Sequence, residues 1–135
     1  MATASASVRI PVSADKVWAL VGGFLSLPDW LPFIAQSVSD EGGRIRHLTT
    51  EDGAKISERL ETYDNQARTY SYSITEGPLP VTGYLATLKV SADGERAAVV
   101  QWSSIFTANG VSDAEAEALI QGVYDSGLEA LKGKF

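Results

Sequence analysis

The sequence has no cysteine and a single histidine, His47. Without thiols it can form no disulfide, no thiolate metal site and no cysteine nucleophile. One histidine with no partner imidazole excludes a zinc-type ligand set, and no Ser-His-Asp arrangement can be assembled around it from sequence. No metal and no cofactor are therefore expected. Positive charge is also scarce: eleven Lys and Arg face seventeen Asp and Glu, for a formal net charge of −6. Binding to nucleic-acid phosphates needs clustered basic residues, and these eleven are scattered, which argues against a nucleic-acid partner. No apolar run approaches the roughly 18 residues that would span a bilayer. The first ten residues lack the basic start and apolar block of a secretory signal. The expectation is a cytoplasmic protein with no membrane insertion.

What is present is an ordinary globular balance, 44% hydrophobic and 21% charged residues in a chain of 135. That length suits one domain, residues 1–135, with one sizeable core. Residues 7–12 read as a first strand ending at a proline. Ser13 can then cap a short helix running to Gly22 and Gly23. Residues 24–33 hold two prolines among large apolar groups, and a broken helix or turn is expected there. From about 34 to 108 the hydrophobic period is two. Turn signals fall at 40–43, 51–53, 64–66, 77–80 and 92–95, leaving room for six strands. SerAspAlaGlu, 112–115, is a capping box, and Ala116, Leu119, Ile120, Val123, Tyr124, Leu128 and Leu131 recur at helical spacing. The fold class is α+β: a strand, two short helices, six more antiparallel strands and a long C-terminal helix.

Strand alternation assigns faces. Lys55, Ser57, Arg59 and Glu61 face solvent, turning Ile56, Glu58, Leu60 and Thr62 inward. Tyr70, Tyr72, Ile74 and Glu76 point inward by the same logic, as do Tyr84, Ala86, Leu88 and Val90, and Val100, Trp102, Ser104 and Phe106. This inward face mixes aromatics with polar groups, which suits a ligand cavity better than a sealed core. A three-residue turn over 51–53, with Gly53 in the left-handed position, pairs Thr50 with Ala54. Counting back sets Leu48 opposite Ile56 and Arg46 opposite Glu58, sends His47 outward, and predicts an ionised Glu58 with a lowered pKa.

Several segments resemble the START-like (SRPBCC) superfamily. ProValSerAlaAspLysValTrpAlaLeuValGlyGlyPhe, with Trp30 and Pro32, looks like its opening segment. GluArgLeuGluThrTyrAsp, TyrSerTyrSerIleThrGluGlyProLeuProVal and the terminal GlyValTyrAspSerGlyLeuGluAlaLeuLys look like its polyketide cyclase/dehydrase branch. The resemblance implies a helix-grip fold, a seven-stranded antiparallel sheet wrapped around the C-terminal helix, with an apolar cavity between them. By analogy with hormone-receptor members, the loops 51–53 and 77–80 occupy the gate and latch positions, although the receptors' gate sequence is absent from the first.

The function so implied is binding of a small hydrophobic or aromatic ligand, polyketide- or lipid-like. The contacting residues expected are Trp30, Phe33, Arg46, Leu48, Ile56, Leu60, Tyr70 and Ile74, with Leu79 capping the mouth. Tyr84, Leu88, Trp102, Phe106, Ile120 and Tyr124 complete the set. An alternative is a cyclase/dehydratase-like enzyme using Glu58 and Tyr72 for proton transfer. Against both stand plainer readings: a structural Arg46–Glu58 ion pair and ordinary core aromatics. A protein-interaction module would need an exposed apolar patch, which the polar outward parity does not provide. Gly122 and Gly127 inside the last helix each cost about 1 kcal/mol relative to alanine, and close packing or room for a ligand would account for them.

Overall fold

Alternating side chains carry most of the chain into one antiparallel sheet. The computed structural model describes residues 1–135. Its strands are β1 (Ala2–Ile10), β2 (Ile34–Asp40), β3 (Ile45–Thr50), β4 (Lys55–Asp64), β5 (Thr69–Glu76), β6 (Val81–Ala92) and β7 (Ala98–Ala108). They lie in the order β1-β7-β6-β5-β4-β3-β2, so six consecutive strands form a meander and β1 closes onto its last member. A short helix α1 (Ala14–Val21) and a 3-10 turn (Phe24–Asp29) separate β1 from β2, and the long helix α2 (Asp113–Lys132) ends the fold. This is the helix-grip architecture. No helix is long and apolar enough to cross a membrane.

Local chemistry explains the boundaries. The first strand starts earlier than the expected residue 7, because Ala2 to Ile10 pair continuously with Phe106 to Ala98. It stops before Pro11, which has no N–H to continue a ladder. The Ser13 hydroxyl accepts from Lys16 N at 3.4 Å and opens α1, whose Val17, Trp18 and Val21 are buried. Pro28 sits in the 3-10 turn, which holds Phe24 and Leu27 in the core. The Ser112 hydroxyl accepts from Glu115 N at 3.1 Å at the start of α2, where Asp113 and Glu115 also suit the positive end of the helix dipole.

Two bulges alter the expected faces. Leu60 pairs with Tyr72 but Thr62 pairs with Ser71, so Glu61 is an extra residue in β4 and the parity inverts beyond it. Thr62 is consequently exposed, bonded to the Ser71 hydroxyl at 2.5 Å, while Tyr63 turns its ring onto Tyr70. Glu58 pairs with Ile74 but Ser57 with Glu76, which makes Thr75 the extra residue of β5 and puts Glu76 on the solvent side. Leu119 is likewise 44% exposed, off the buried stripe formed by Ala116, Ile120, Tyr124, Leu128 and Leu131.

Helix α2 packs along β1 and β7 and also closes a sheet edge. Thr3 N donates to Glu117 Oε2 at 2.9 Å, Ser5 N donates to Gln121 Oε1 at 3.2 Å, and Gln121 Nε2 donates to Ser5 O at 2.7 Å. Backbone groups of an edge strand are thereby satisfied by side chains of the helix that grips it. The two α2 glycines differ. A Cβ on Gly127 would lie 2.8 Å from Leu31 Cδ1 and 2.9 Å from Trp102 Cζ3, so this glycine allows the helix to approach the sheet. A Cβ on Gly122 would meet nothing within 4 Å.

Opposite outcomes follow for the two alanine variants. Gly122→Ala should raise stability by about 0.5–1 kcal/mol in denaturant unfolding, because only the helix propensity changes. Gly127→Ala should lower it by about 1–3 kcal/mol through overpacking against Trp102 and Leu31. A stabilising Gly127→Ala would show that the contact yields.

Candidate functional site

The site is set by the β3–β4 hairpin. Gly53 adopts φ +91°, and Thr50 N donates to Ala54 O at 2.9 Å, closing the three-residue turn. The register that results places Leu48 opposite Ile56 and Arg46 opposite Glu58. His47 faces outward, between the Ser57 hydroxyl at 2.8 Å and Asp40 Oδ2 at 3.2 Å.

Arg46 is 1% exposed and each of its three guanidinium nitrogens meets an acceptor. Nε donates to Glu58 Oε1 at 2.8 Å, Nη2 lies 2.7 Å from the same oxygen, and Nη1 donates to the Phe24 carbonyl at 2.6 Å. Its central carbon sits 4.1 Å from the centroid of the Phe24 ring and 4.8 Å from that of Tyr72. Burying a guanidinium is tolerable only with this kind of compensation: a carboxylate, a carbonyl and two π faces. Burial, the largest single influence, would lower the Arg46 pKa, but the Glu58 charge and hydrogen bond together with the nearby Tyr70 and Tyr72 hold Arg46 above its ordinary value. Glu58 departs from the lowered pKa inferred from its pairing. Burial pushes its carboxyl up, and the Arg46 charge reverses that only in part.

Phenols surround this pair. Trp102 Nε1 donates to the Tyr72 oxygen at 3.0 Å, and the Tyr84 and Tyr124 hydroxyls bond to each other. Trp102 stacks on Tyr124 with centroids 4.3 Å apart and meets Trp30 edge-on at 5.6 Å. Burial raises the pKa of Tyr70, Tyr72, Tyr84 and Tyr124 above that of free tyrosine.

Between the sheet, the 3-10 segment and α2 lies a cavity of about 180 Å³. Its lining brings together Phe33, Arg46, Leu48, Ile56, Glu58, Tyr72, Ile74, Leu79, Tyr84, Trp102, Ile120 and Tyr124. Five residues expected at the site lie outside that lining. Trp30 is buried behind Trp102, and Phe106 stacks on the far side of Tyr84 with centroids 6.0 Å apart. Tyr70 packs ring against ring with Trp18, Tyr63 and Phe24 and is 1% exposed. Leu88 is buried further along β6, paired with Trp102 and Tyr70, and Leu60 is a half-buried residue at the Gly42–Gly43–Arg44 side. Parity fixes a side chain's face but not its depth along the strand.

Conversely, Leu27, Leu31, Ile34, Thr50 and Val123 line the cavity without having been singled out for it. Thr50 shares the parity of Arg46 and Leu48, and Val123 lies one turn from Ile120, so both carried a readable signal. Leu27 and Leu31 reach the cavity through the irregular turn and carried none.

A family model described as polyketide cyclase/dehydrase and lipid transport matches residues 1–135. Among solved structures, XoxI from Bacillus cereus is 48% identical, with a TM-score of 0.97 over 100% of this chain and 96% of that one. A Thermobifida fusca protein is 30% identical, with a TM-score of 0.86 over 98% of this chain and 91% of that one. A START superfamily protein from Mycobacterium smegmatis is 16% identical, with a TM-score of 0.81 over 98% of this chain and 95% of that one; at that identity the likeness is one of fold. No curated protein matches the chain.

The buried phenols make alkaline stability a direct test of the site's packing. Free tyrosine ionises near pH 10 and four of the five tyrosines are held above that value, so folding favours their neutral form. The associated stability is fully present below about pH 10 and is lost as pH rises above it. Phenolate absorbance from these four should therefore appear together with loss of the near-ultraviolet dichroism. Tyr84→Phe should remove one phenolate from that shared step. Phenolates that titrate while the fold remains intact would mean the ring cluster is wetter than its burial indicates.

Proposed function

The chain belongs to the polyketide cyclase/dehydrase and lipid transport family, and from that premise we propose that it binds a small apolar or aromatic molecule in the cavity between the sheet and α2. The observation that carries this reading is the lining itself. Protein interiors normally close up around their side chains, leaving few voids larger than a water. Here a space of about 180 Å³ persists beside buried Arg46 and Glu58, with the phenols Tyr72, Tyr84 and Tyr124 in an otherwise apolar wall. Mostly apolar walls with a few placed polar groups are what a small ligand requires.

Access fits the same reading. Phe33, Thr50, Ile56, Ile74, Leu79 and Val123 are lining residues that are also partly exposed, so they mark the opening. Leu79 lies in the Gly77–Pro80 connection between β5 and β6, where Pro78 and Pro80 limit backbone freedom. We regard it as an apolar lid. A second reading, cyclase/dehydratase-like proton transfer, is favoured by one feature: Glu58 is a cavity carboxyl whose pKa burial raises, as suits an acid or base. Tyr72 would then be its partner. Glu58→Gln separates the two, since an enzyme would lose turnover while a carrier would change only in affinity.

The binding role is tested by loading the protein with an environment-sensitive apolar dye and following release. Leu79→Ser should speed release a few-fold, as losing about 1 kcal/mol of apolar contact implies, with little change in unfolding midpoint. Unchanged release would reduce the 77–80 segment to a plain turn, and a protein that takes up no apolar probe would refute the binding role.

A further inference from the structure

The polar atoms left free in the cavity specify more than apolarity. Both close contacts that Arg46 makes with Glu58 fall on Oε1, a hydrogen bond from Nε at 2.8 Å and an ion-pair contact with Nη2 at 2.7 Å, and Oε2 has no protein donor. An ionised carboxylate is acceptor-only, so Oε2 needs a donor from whatever occupies the space. The Tyr72 oxygen accepts from Trp102 Nε1 at 3.0 Å, while its own proton has no protein acceptor. Arg46 is already matched in charge: Nε donates to Glu58, Nη1 donates to the Phe24 carbonyl, and Nη2 lies 2.7 Å from Glu58 Oε1. The pair carries no net positive charge to attract an anion, and the Glu58 carboxylate repels one. The cavity presents one unfilled carboxylate acceptor and, from Tyr72 and from one member of the Tyr84–Tyr124 pair, unfilled phenol donors within walls of Leu, Ile, Phe and Trp.

Size narrows the choice further. At about 180 Å³ the space is close to the roughly 150 Å³ engineered apolar cavity that accepts benzene, and well below the ~300–1,000 Å³ typical of drug-sized pockets. A polycyclic skeleton or long acyl chain would require the walls to part. One wall is pinned where Trp102 stacks on Tyr124 at 4.3 Å with Gly127 against it, and another where Arg46 is held between Phe24 and Tyr72.

Resting on the ligand-binding role proposed above, we infer that the occupant is a neutral single-ring compound bearing a hydroxyl, which donates to Glu58 Oε2. A hydroxyl supplies the missing donor and can accept from a phenol, whereas an ether, ketone or aldehyde leaves Oε2 facing lone pairs. A free fatty acid fails on both charge and size.

The test is an NMR titration of the intact protein, read at the Trp102 indole N–H, with 4-methylphenol, 4-methylanisole, dodecanoate and 1-anilinonaphthalene-8-sulfonate. 4-Methylphenol should saturate and bind about tenfold or more tightly than 4-methylanisole, the advantage of a hydrogen bond to a charged group. Glu58→Gln should reduce that ratio to near one. Tyr72→Phe should weaken both ring compounds and leave the ratio in place, because its proton can serve either oxygen. If Glu58→Gln does not fold, the wild-type ratio decides alone. Equal affinity for the phenol and its methyl ether overturns the hydroxyl assignment. Saturation by dodecanoate or the naphthalene sulfonate without saturation by 4-methylphenol overturns the single-ring assignment while leaving ligand binding intact. No response to any of the four overturns the binding role itself.

Discussion

The buried guanidinium of Arg46 is the constraint around which the site is organised. It joins three segments distant in sequence: its own strand β3, Glu58 on β4, and the Phe24 carbonyl in the turn that follows α1. Removing only its partner would leave an uncompensated buried charge, at a cost of about 3–5 kcal/mol. The surrounding sequence is consequently not free to vary around it. A carboxylate must stand opposite in the hairpin register, the 3-10 turn must present the Phe24 carbonyl, and the Phe24 and Tyr72 rings must lie against the guanidinium. Replacing a buried ion pair by apolar residues of similar volume is often neutral or stabilising, so stability alone does not account for the pair. It fixes which groups meet.

That fixed pair divides the aromatic side chains into two regions of different character. On one side, Trp18, Tyr63, Tyr70 and Phe24 pack ring against ring at 5.7–6.2 Å under α1, and Tyr63 donates to the Gly22 carbonyl at 2.8 Å. Space is used up there. On the other side, Tyr72, Tyr84, Tyr124 and Trp102 face the cavity, and their polar atoms bond chiefly to one another. Arg46 touches both regions through Phe24 and Tyr72. A solid half and a hollow half can therefore share one sheet, because the closed end bears the packing that the open end gives up.

The sequence made the hairpin register legible, since a three-residue turn with glycine in the left-handed position leaves a single way to count back to Arg46 and Glu58. Inward parity held through Tyr84, Ala86, Leu88 and Val90 and through Val100, Trp102, Ser104 and Phe106, all of them buried. It failed at Thr62 and Glu76 because Glu61 and Thr75 are bulged, and a bulge answers to twist and pairing across strands, not to the residues of one strand. Depth was unreadable for a related reason. Tyr70 and Tyr72 share a strand and a face, yet only Tyr72 lines the cavity, because α1 covers the other end of the sheet. Leu27 and Leu31 arrive from an irregular segment with no period to follow.

The family's architecture survives at identities as low as 16%, so it does not by itself choose a ligand. The choice must lie in a handful of side chains, and their positions relative to the stabilising contacts matter. The features that hold the helix to the sheet, Gly127 against Trp102 and Gln121 against the edge of β1, do not involve the Gly77–Pro80 segment. That segment has little backbone tying of its own: Val81 N donates to Leu79 O at 2.8 Å, and Asn109 N donates to Pro80 O at 2.9 Å. Opening it would break few bonds and expose one leucine, whereas displacing α2 would disrupt both the core and a sheet edge. A route into the cavity past Leu79 would thus cost less than one that displaces α2, and Pro78 and Pro80 restrict the backbone on either side of that leucine.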